Sequence, residues 1–154
     1  MIVLEENKDI FYLAMNNEAV CVTTNGQVNK NGEAVMGKGI ALEAKNLFHC
    51  EKLLGQYIKT YGNRAFNLGR YQRDNQIFTL FSFPTKRHWK DCSDITLIVH
   101  SAEQLVEMCD KFNITKCYLP LVGCGAGELN WDVTVYPWLS EILDDRFVVV
   151  KWHH

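Results

Sequence analysis

Two runs of this sequence gather glycines in a way that suits an anionic ligand. The first is TTNGQVNKNGEAVMGKGIALEAK, Thr23 to Lys45, in which Gly37 and Gly39 stand just before residues with helical spacing. Glycine lets a backbone approach a ligand closely and turn its amides outward. The free N–H groups of a helix start, at the positive end of its dipole, favour a negative group. The run is not a P-loop, since GxxxxGK[ST] is absent, and a plain strand-to-helix turn accounts for the same glycines. The second run is LPLVGCGAGELNW, Leu119 to Trp131, where Gly123, Gly125 and Gly127 alternate. Glycines so placed carry an entropic cost unless the backbone shape needs them; a tight connection is the alternative reading. Between the two lies FSFPTKRHWKD, Phe81 to Asp91, with Lys86, Arg87 and Lys90 around His88 and Trp89. A lysine beside other cations, or partly desolvated, can lose its proton and act as a nucleophile. A basic surface loop anchored by one tryptophan explains these residues without chemistry. No metal is expected, because His88 has no partner ligands at metal spacing.

The elements that must position these runs follow from periodicity. Ile2 to Leu4 is a short β-type run, and AVCVTT, Ala19 to Thr24, is a β-branched run that stops at Asn25-Gly26, predicting a buried strand and a turn. Gln27 to Gly37 is polar, contains Gly32 and reads as a flexible loop. From Gly39, Ile40, Ala41, Ala44, Leu47 and Phe48 recur at helical spacing, and a second helix runs from about Glu51 to Tyr61, closing at Gly62. Gly69 to Arg73 and Ile77 to Phe83 predict two strands joined at Asp74-Asn75, with Pro84 ending the second. Ser93 and Asp94 are candidate caps for a helix to about Phe112. Cys117 to Leu121 predicts a strand, Asp132 a cap for a helix carrying Val135, Leu139, Ile142 and Leu143, and Phe147 to Trp152 a last strand. This alternation points to a mixed sheet with helices on both faces, in which ligands sit beyond the strand C-termini.

The bulk composition fits one domain spanning residues 1–154. Hydrophobic residues are 47% and charged residues 22%, the balance of a soluble protein, and no run reaches the length of a membrane span. The N-terminus lacks the pattern of a secretory signal. Six cysteines occur with no CxxC spacing, which favours a reducing, cytoplasmic setting and no disulfide framework. A net charge of −2 argues against a broad nucleic-acid clamp. His153 and His154 are assigned no role.

TTNG…VMGKGIALEAK, FPTKRHW and LPLVGCGAGELNW together, in this order, resemble the macro domain family. Within it they are similar to the branch of DNA ADP-ribosyl glycohydrolase antitoxins and the terminal ADP-ribose protein glycohydrolase. The resemblance runs from Asp9 to the last helix. It implies an α/β fold, a three-layer α/β/α sandwich with a mixed central sheet, holding ADP-ribose above the sheet. It implies that Asp9 bonds the adenine amino group, with Ile10 the neighbouring backbone contact. It places Thr24 and Asn25 at the distal ribose, and Met36, Gly37, Lys38, Gly39 and Ile40 against that ribose and the pyrophosphate. Gly123, Cys124, Gly125, Ala126 and Gly127 then wrap the phosphates. Lys86, with Asn25, stands at the distal anomeric carbon, where hydrolysis passes through an oxocarbenium-like state. Attack as an amine, assistance to the leaving group and anchoring of a phosphate all remain open for Lys86.

Two departures bear on the substrate. The protein-acting branch carries a catalytic aspartate where this chain has Gly127, followed by Glu128, whereas the DNA-acting antitoxins have glycine there. The first loop is longer by Gln27 to Ala34, an insertion expected to cover the distal ribose. The chain ends with the fold, which suggests a free-standing enzyme rather than an antitoxin. The resulting expectation is a cofactor-independent hydrolase that removes ADP-ribose from a modified nucleic acid or protein. Its alternatives are an ADP-ribose 1″-phosphate phosphatase and a reader that binds without catalysis. Lys86, Arg87 and Lys90 together offer a weak, salt-sensitive nucleic-acid contact.

Overall fold

The computed structural model describes residues 1–152; His153 and His154 lie outside the described residues. Six strands form one sheet: β1 (Ile2–Glu6), β2 (Ala19–Asn25), β3 (Phe66–Arg73), β4 (Gln76–Lys86), β5 (Cys117–Pro120) and β6 (Phe147–Trp152). Their order is β1-β6-β5-β2-β4-β3, with every pair parallel except the β3–β4 hairpin. The mixed sheet expected from the alternation of elements is thus present.

Alternate residues of the strands bury opposite faces of the sheet. Val20, Val22, Phe78, Leu80, Val148 and Val150 pack with α1 (Gly39–Phe48), α2 (Glu51–Tyr61) and a 3-10 turn at Ile10–Tyr12. Cys21, Phe81, Phe83, Leu119, Phe147 and Val149 pack with α3 (Ile95–Phe112) and α4 (Tyr136–Ile142). These two cores make the three layers. Cys21, Cys109 and Cys117 are buried in the second, where Cys21 Sγ and Cys117 Sγ lie 3.4 Å apart, as small apolar residues would.

Local chemistry sets the helix ends. Asp94 caps α3, its carboxylate accepting from the amides of Thr96 and Leu97, while Asn113 closes the helix in the left-handed region. Asp132 does not cap the last helix. Asn130 does so, its side chain accepting from Val133 N, because Asn130 keeps the extended backbone of a cap while Asp132 is already inside a wide first turn at Trp131–Val135.

Three other expectations are corrected. β3 begins at Phe66, before Gly69. Pro84 lies inside β4, which continues to Lys86. β3 reaches only as far as Ser82 along β4, so beyond it that edge has no strand neighbour and the missing N–H of Pro84 breaks no ladder bond. The Pro84 carbonyl accepts instead from Ser101 Oγ at 2.7 Å. Finally, Gln27 to Ala34 is neither open nor laid over the site. Val28 bridges Ala34, Asn29 Oδ1 accepts from Asn31 N and Glu33 N, and Ala34 N donates to Glu51 O. The insertion folds against α2, where Gly55 leaves no room for a side chain beneath the Gly32 carbonyl.

Candidate functional site

β2 lies between β5 and β4, so the three strand ends that carry the unusual residues are neighbours. After β2 the chain enters α1 on one face of the sheet; after β5 it enters α4 on the other. Adjacent strands whose connections part in this way open a crevice at their C-terminal ends. A cavity of about 810 Å³ occupies that crevice, within the range of small-molecule sites.

All fifteen residues expected at a ligand line it: Asp9, Ile10, Thr24 and Asn25; Met36 to Ile40; Lys86; and Gly123 to Gly127. Arg87 and Lys90 do not. Both are exposed. Glu128 also stays outside the cavity, accepting from Cys92 Sγ at 3.1 Å.

The first loop is shaped by Asn25. Its Nδ2 donates to Val35 O at 3.0 Å and its Oδ1 accepts from Gln27 N at 2.9 Å, which ties both ends of the inserted hairpin to the end of β2. An amide side chain has more than these two positions, so one N–H and one lone pair remain for a ligand hydroxyl. α1 starts at Gly39 with no side-chain cap on Lys38, leaving its first amides for whatever occupies the cavity. Gly37 and Gly39 have no heavy atom within 4 Å of where a side chain would begin, and Gly39 takes a positive φ of 57°.

The second loop turns tightly. Cys124 N donates to Leu121 O, Glu128 N to Gly125 O and Leu129 N to Gly123 O. The amides of Gly125, Ala126 and Gly127 make no hydrogen bond to the described residues. Such consecutive free N–H groups form an anion-binding concavity. Burial pushes the Cys124 thiol up to about 11, so it is neutral at physiological pH and offers no thiolate to compete with an anion.

Lys86 pairs with Asn25 in the β2–β4 register, just past a bulge at Thr85. Bulges re-aim side chains at strand ends. The Lys86 ammonium donates to Trp89 O at 3.2 Å and pairs with no carboxylate among the described residues. Asp9 is on the other side, on the turn that packs beside β5, with Oδ1 capping that turn through Phe11 N at 3.0 Å.

Glu43, Trp89 and Ser93 also line the cavity and were not anticipated. Glu43 hydrogen-bonds Asp9. Burial first, then that bond and the like charge of Asp9, push its carboxyl up to about 7, against the opposing pull of Arg73. Only its place one turn beyond Gly39 on α1, the same helix face, signals this in sequence. Ser93 is buried with an unpartnered hydroxyl against Gly127, and its amide donates to Gly127 O at 3.0 Å. No local pattern marks a serine whose role is to meet a loop 34 residues later, since the contact is tertiary.

No family model matches the chain. Over 143 residues it is 31% identical to the DNA ADP-ribosyl transferase–DNA ADP-ribosyl glycohydrolase fusion protein of Thermosipho africanus, a match covering 81% of this chain and 35% of that protein. It superposes on the structure of Thermosipho africanus DarTG in complex with ADP-ribose with a TM-score of 0.75 and 26% identity, over 97% of this chain and 42% of the other. On the macrodomain of Mycobacterium tuberculosis DarG the TM-score is 0.73 at 25% identity, over 99% of both chains. The chain spans about a third of the length of the curated relatives it matches. The crevice at the ends of β2, β4 and β5, the two glycine loops and these likenesses agree: the chain belongs to the macro domain family, in the branch that contains the DNA ADP-ribosyl glycohydrolases.

Proposed function

We propose that this protein binds ADP-ribose in the cavity and hydrolyses its bond to a modified DNA base. The observation that carries this reading is the convergence of the two amide-bearing loops and Lys86 on one cavity. The amides of Gly125 to Gly127 and the start of α1 offer backbone N–H donors to a diphosphate from two sides. Asp9, across the cavity from Lys86, accepts from the exocyclic amine of adenine. Asn25 offers its remaining N–H and lone pair to the distal ribose. That order puts the distal anomeric carbon beside Lys86.

Cleavage there builds positive charge on the ribose as the base departs with the bonding electron pair. The Lys86 ammonium gives its proton to the departing base and the amine so formed makes a C–N bond to the anomeric carbon; water then breaks that bond, releasing ADP-ribose and restoring the ammonium. Gly127 favours DNA over protein as the substrate. A Cβ there would sit on Ser93 Oγ and 2.6 Å from the Gly123 carbonyl, so the loop has no room at this position for the carboxylate of the protein-acting branch.

The test is turnover of ADP-ribosylated DNA and ADP-ribosylated protein by wild type and Lys86→Ala. We expect release from DNA, slowed about 10²- to 10⁴-fold by the substitution, the range of a positioned catalytic side chain. Borohydride added during turnover should fix the sugar on Lys86, read as a mass increase on that peptide. Equal rates in the two proteins would remove Lys86 from the mechanism, and no release from DNA would overturn the reading.

A further inference from the structure

Trp89 is used by neither the fold nor the chemistry described so far. It lies at the mouth of the cavity with 42% of its surface exposed, although an indole of this size is ordinarily well covered. Cations gather round it. Lys90 Nζ lies over its ring at 5.2 Å and Lys38 Nζ at 6.0 Å from the ring centroid, Arg87 is exposed two residues earlier, and the His88 ring centroid lies 5.9 Å away at 26°. Asp91 is the one carboxylate of this segment. Residue 89 is also tied to the reacting end of the site, since the Trp89 backbone carbonyl accepts from the Lys86 ammonium at 3.2 Å.

We propose that Trp89 is a stacking platform for a base of single-stranded nucleic acid next to the ADP-ribosylated nucleotide, with Lys38, Arg87 and Lys90 along the strand's phosphates. An exposed aromatic ring bordered by cations is the arrangement that holds single strands without reading their sequence. A base on Trp89 adjoins Lys86, so the strand leaving the modified nucleotide has a track out of the cavity. A paired base has both faces covered in the duplex, so the platform selects unpaired DNA. The inference rests on the proposed DNA hydrolase, but it concerns what the enzyme grips outside the ADP-ribose.

The experiment compares affinity for an ADP-ribosylated mononucleotide with that for an ADP-ribosylated ten-nucleotide strand, by fluorescence anisotropy, in protein carrying Lys86→Ala so that the probes stay intact. The strand should bind roughly 5- to 150-fold more tightly than the mononucleotide, the range of one stacked base. Adding Trp89→Ala should erase that gain and Trp89→Phe should restore most of it. Because the gain is a ratio, any change in the grip on ADP-ribose itself divides out. A gain unchanged in all three proteins, no gain in any, or equal binding of the modified duplex would overturn the proposal. So would a Trp89-dependent gain on ADP-ribosylated peptide that is absent on DNA. Turnover by wild type, scored separately, keeps the two readings apart: a Trp89-dependent gain without cleavage sinks the hydrolase and leaves the platform. Cleavage without such a gain does the reverse.

Discussion

The two glycine loops look alike as strings, yet their glycines are there for different reasons. In the first loop, Gly37 and Gly39 border open space: nothing lies within 4 Å of where their side chains would begin. In the second, Gly123 takes a φ of 78° with Ile98 Cδ1 2.7 Å from the site of a Cβ, and at Gly127 the Ser93 hydroxyl and the Gly123 carbonyl fill that place. Gly125, between them, is open like Gly37. The first loop therefore keeps room for a ligand. The second is packed onto the start of α3 and presents amides from a rigid base. Glycine spacing points to both loops but does not distinguish empty space from tight contact.

Substitution can break this contrast. Gly127→Ala should have the largest effect on stability, about 1–3 kcal/mol from overpacking, seen as a lower midpoint in denaturant with an unchanged slope. Ser93→Gly in the same chain should return part of the loss, because it removes one of the two obstacles and leaves the Gly123 carbonyl. A Gly127→Ala protein as stable as wild type would show that the second loop is not packed as described.

The open positions sharpen the comparison from the other side. Gly37→Ala and Gly125→Ala should alter stability by no more than about 0.5 kcal/mol, as substitutions without contacts do. Each should still weaken ADP-ribose binding in calorimetry by about tenfold, since the added methyl enters the cavity and about 1.4 kcal/mol is a factor of ten. Unfolding of either variant, or full affinity in both, would mean that the open space is not ligand space.

The smallest effect concerns pH. Glu43 has a folded-state value near 7, above the ordinary 4.5, so the folded protein holds a proton that the unfolded chain has released. Its contribution is complete below about 4.5 and is lost as pH rises towards and through 7. Glu43→Gln, which keeps the hydrogen bond to Asp9 without ionising, should therefore unfold at a similar temperature to wild type at pH 5 and at a higher one at pH 8. Parallel melting curves at both pH values would remove the shared proton.

The features that were legible in the sequence are those written locally. β2 and Phe147 to Val150 of β6 are β-rich runs buried on both faces, the stripe of α3 repeats over eighteen residues, and the loop glycines and Lys86 lie in contiguous motifs. What was misread depends on neighbours. Pro84 stops a strand only where a partner needs its N–H, and β3 has already ended there. Gln27 to Ala34 is polar like an open loop, but its hydrogen bonds run to Glu51 and within the hairpin. Glu43 and Trp89 lie within the quoted motifs but Ser93 lies outside them, and its contact with Gly127 is tertiary, so no local pattern marks it.

The account depends most on both loops meeting one diphosphate. Titration of the ¹⁵N-labelled protein with ADP-ribose, followed through the backbone amides, tests this directly. The amides of Gly37 to Ile40 and of Gly125 to Gly127 should shift together and saturate at the same ligand concentration. A titration that moves one loop while leaving the other at its free position would contradict it.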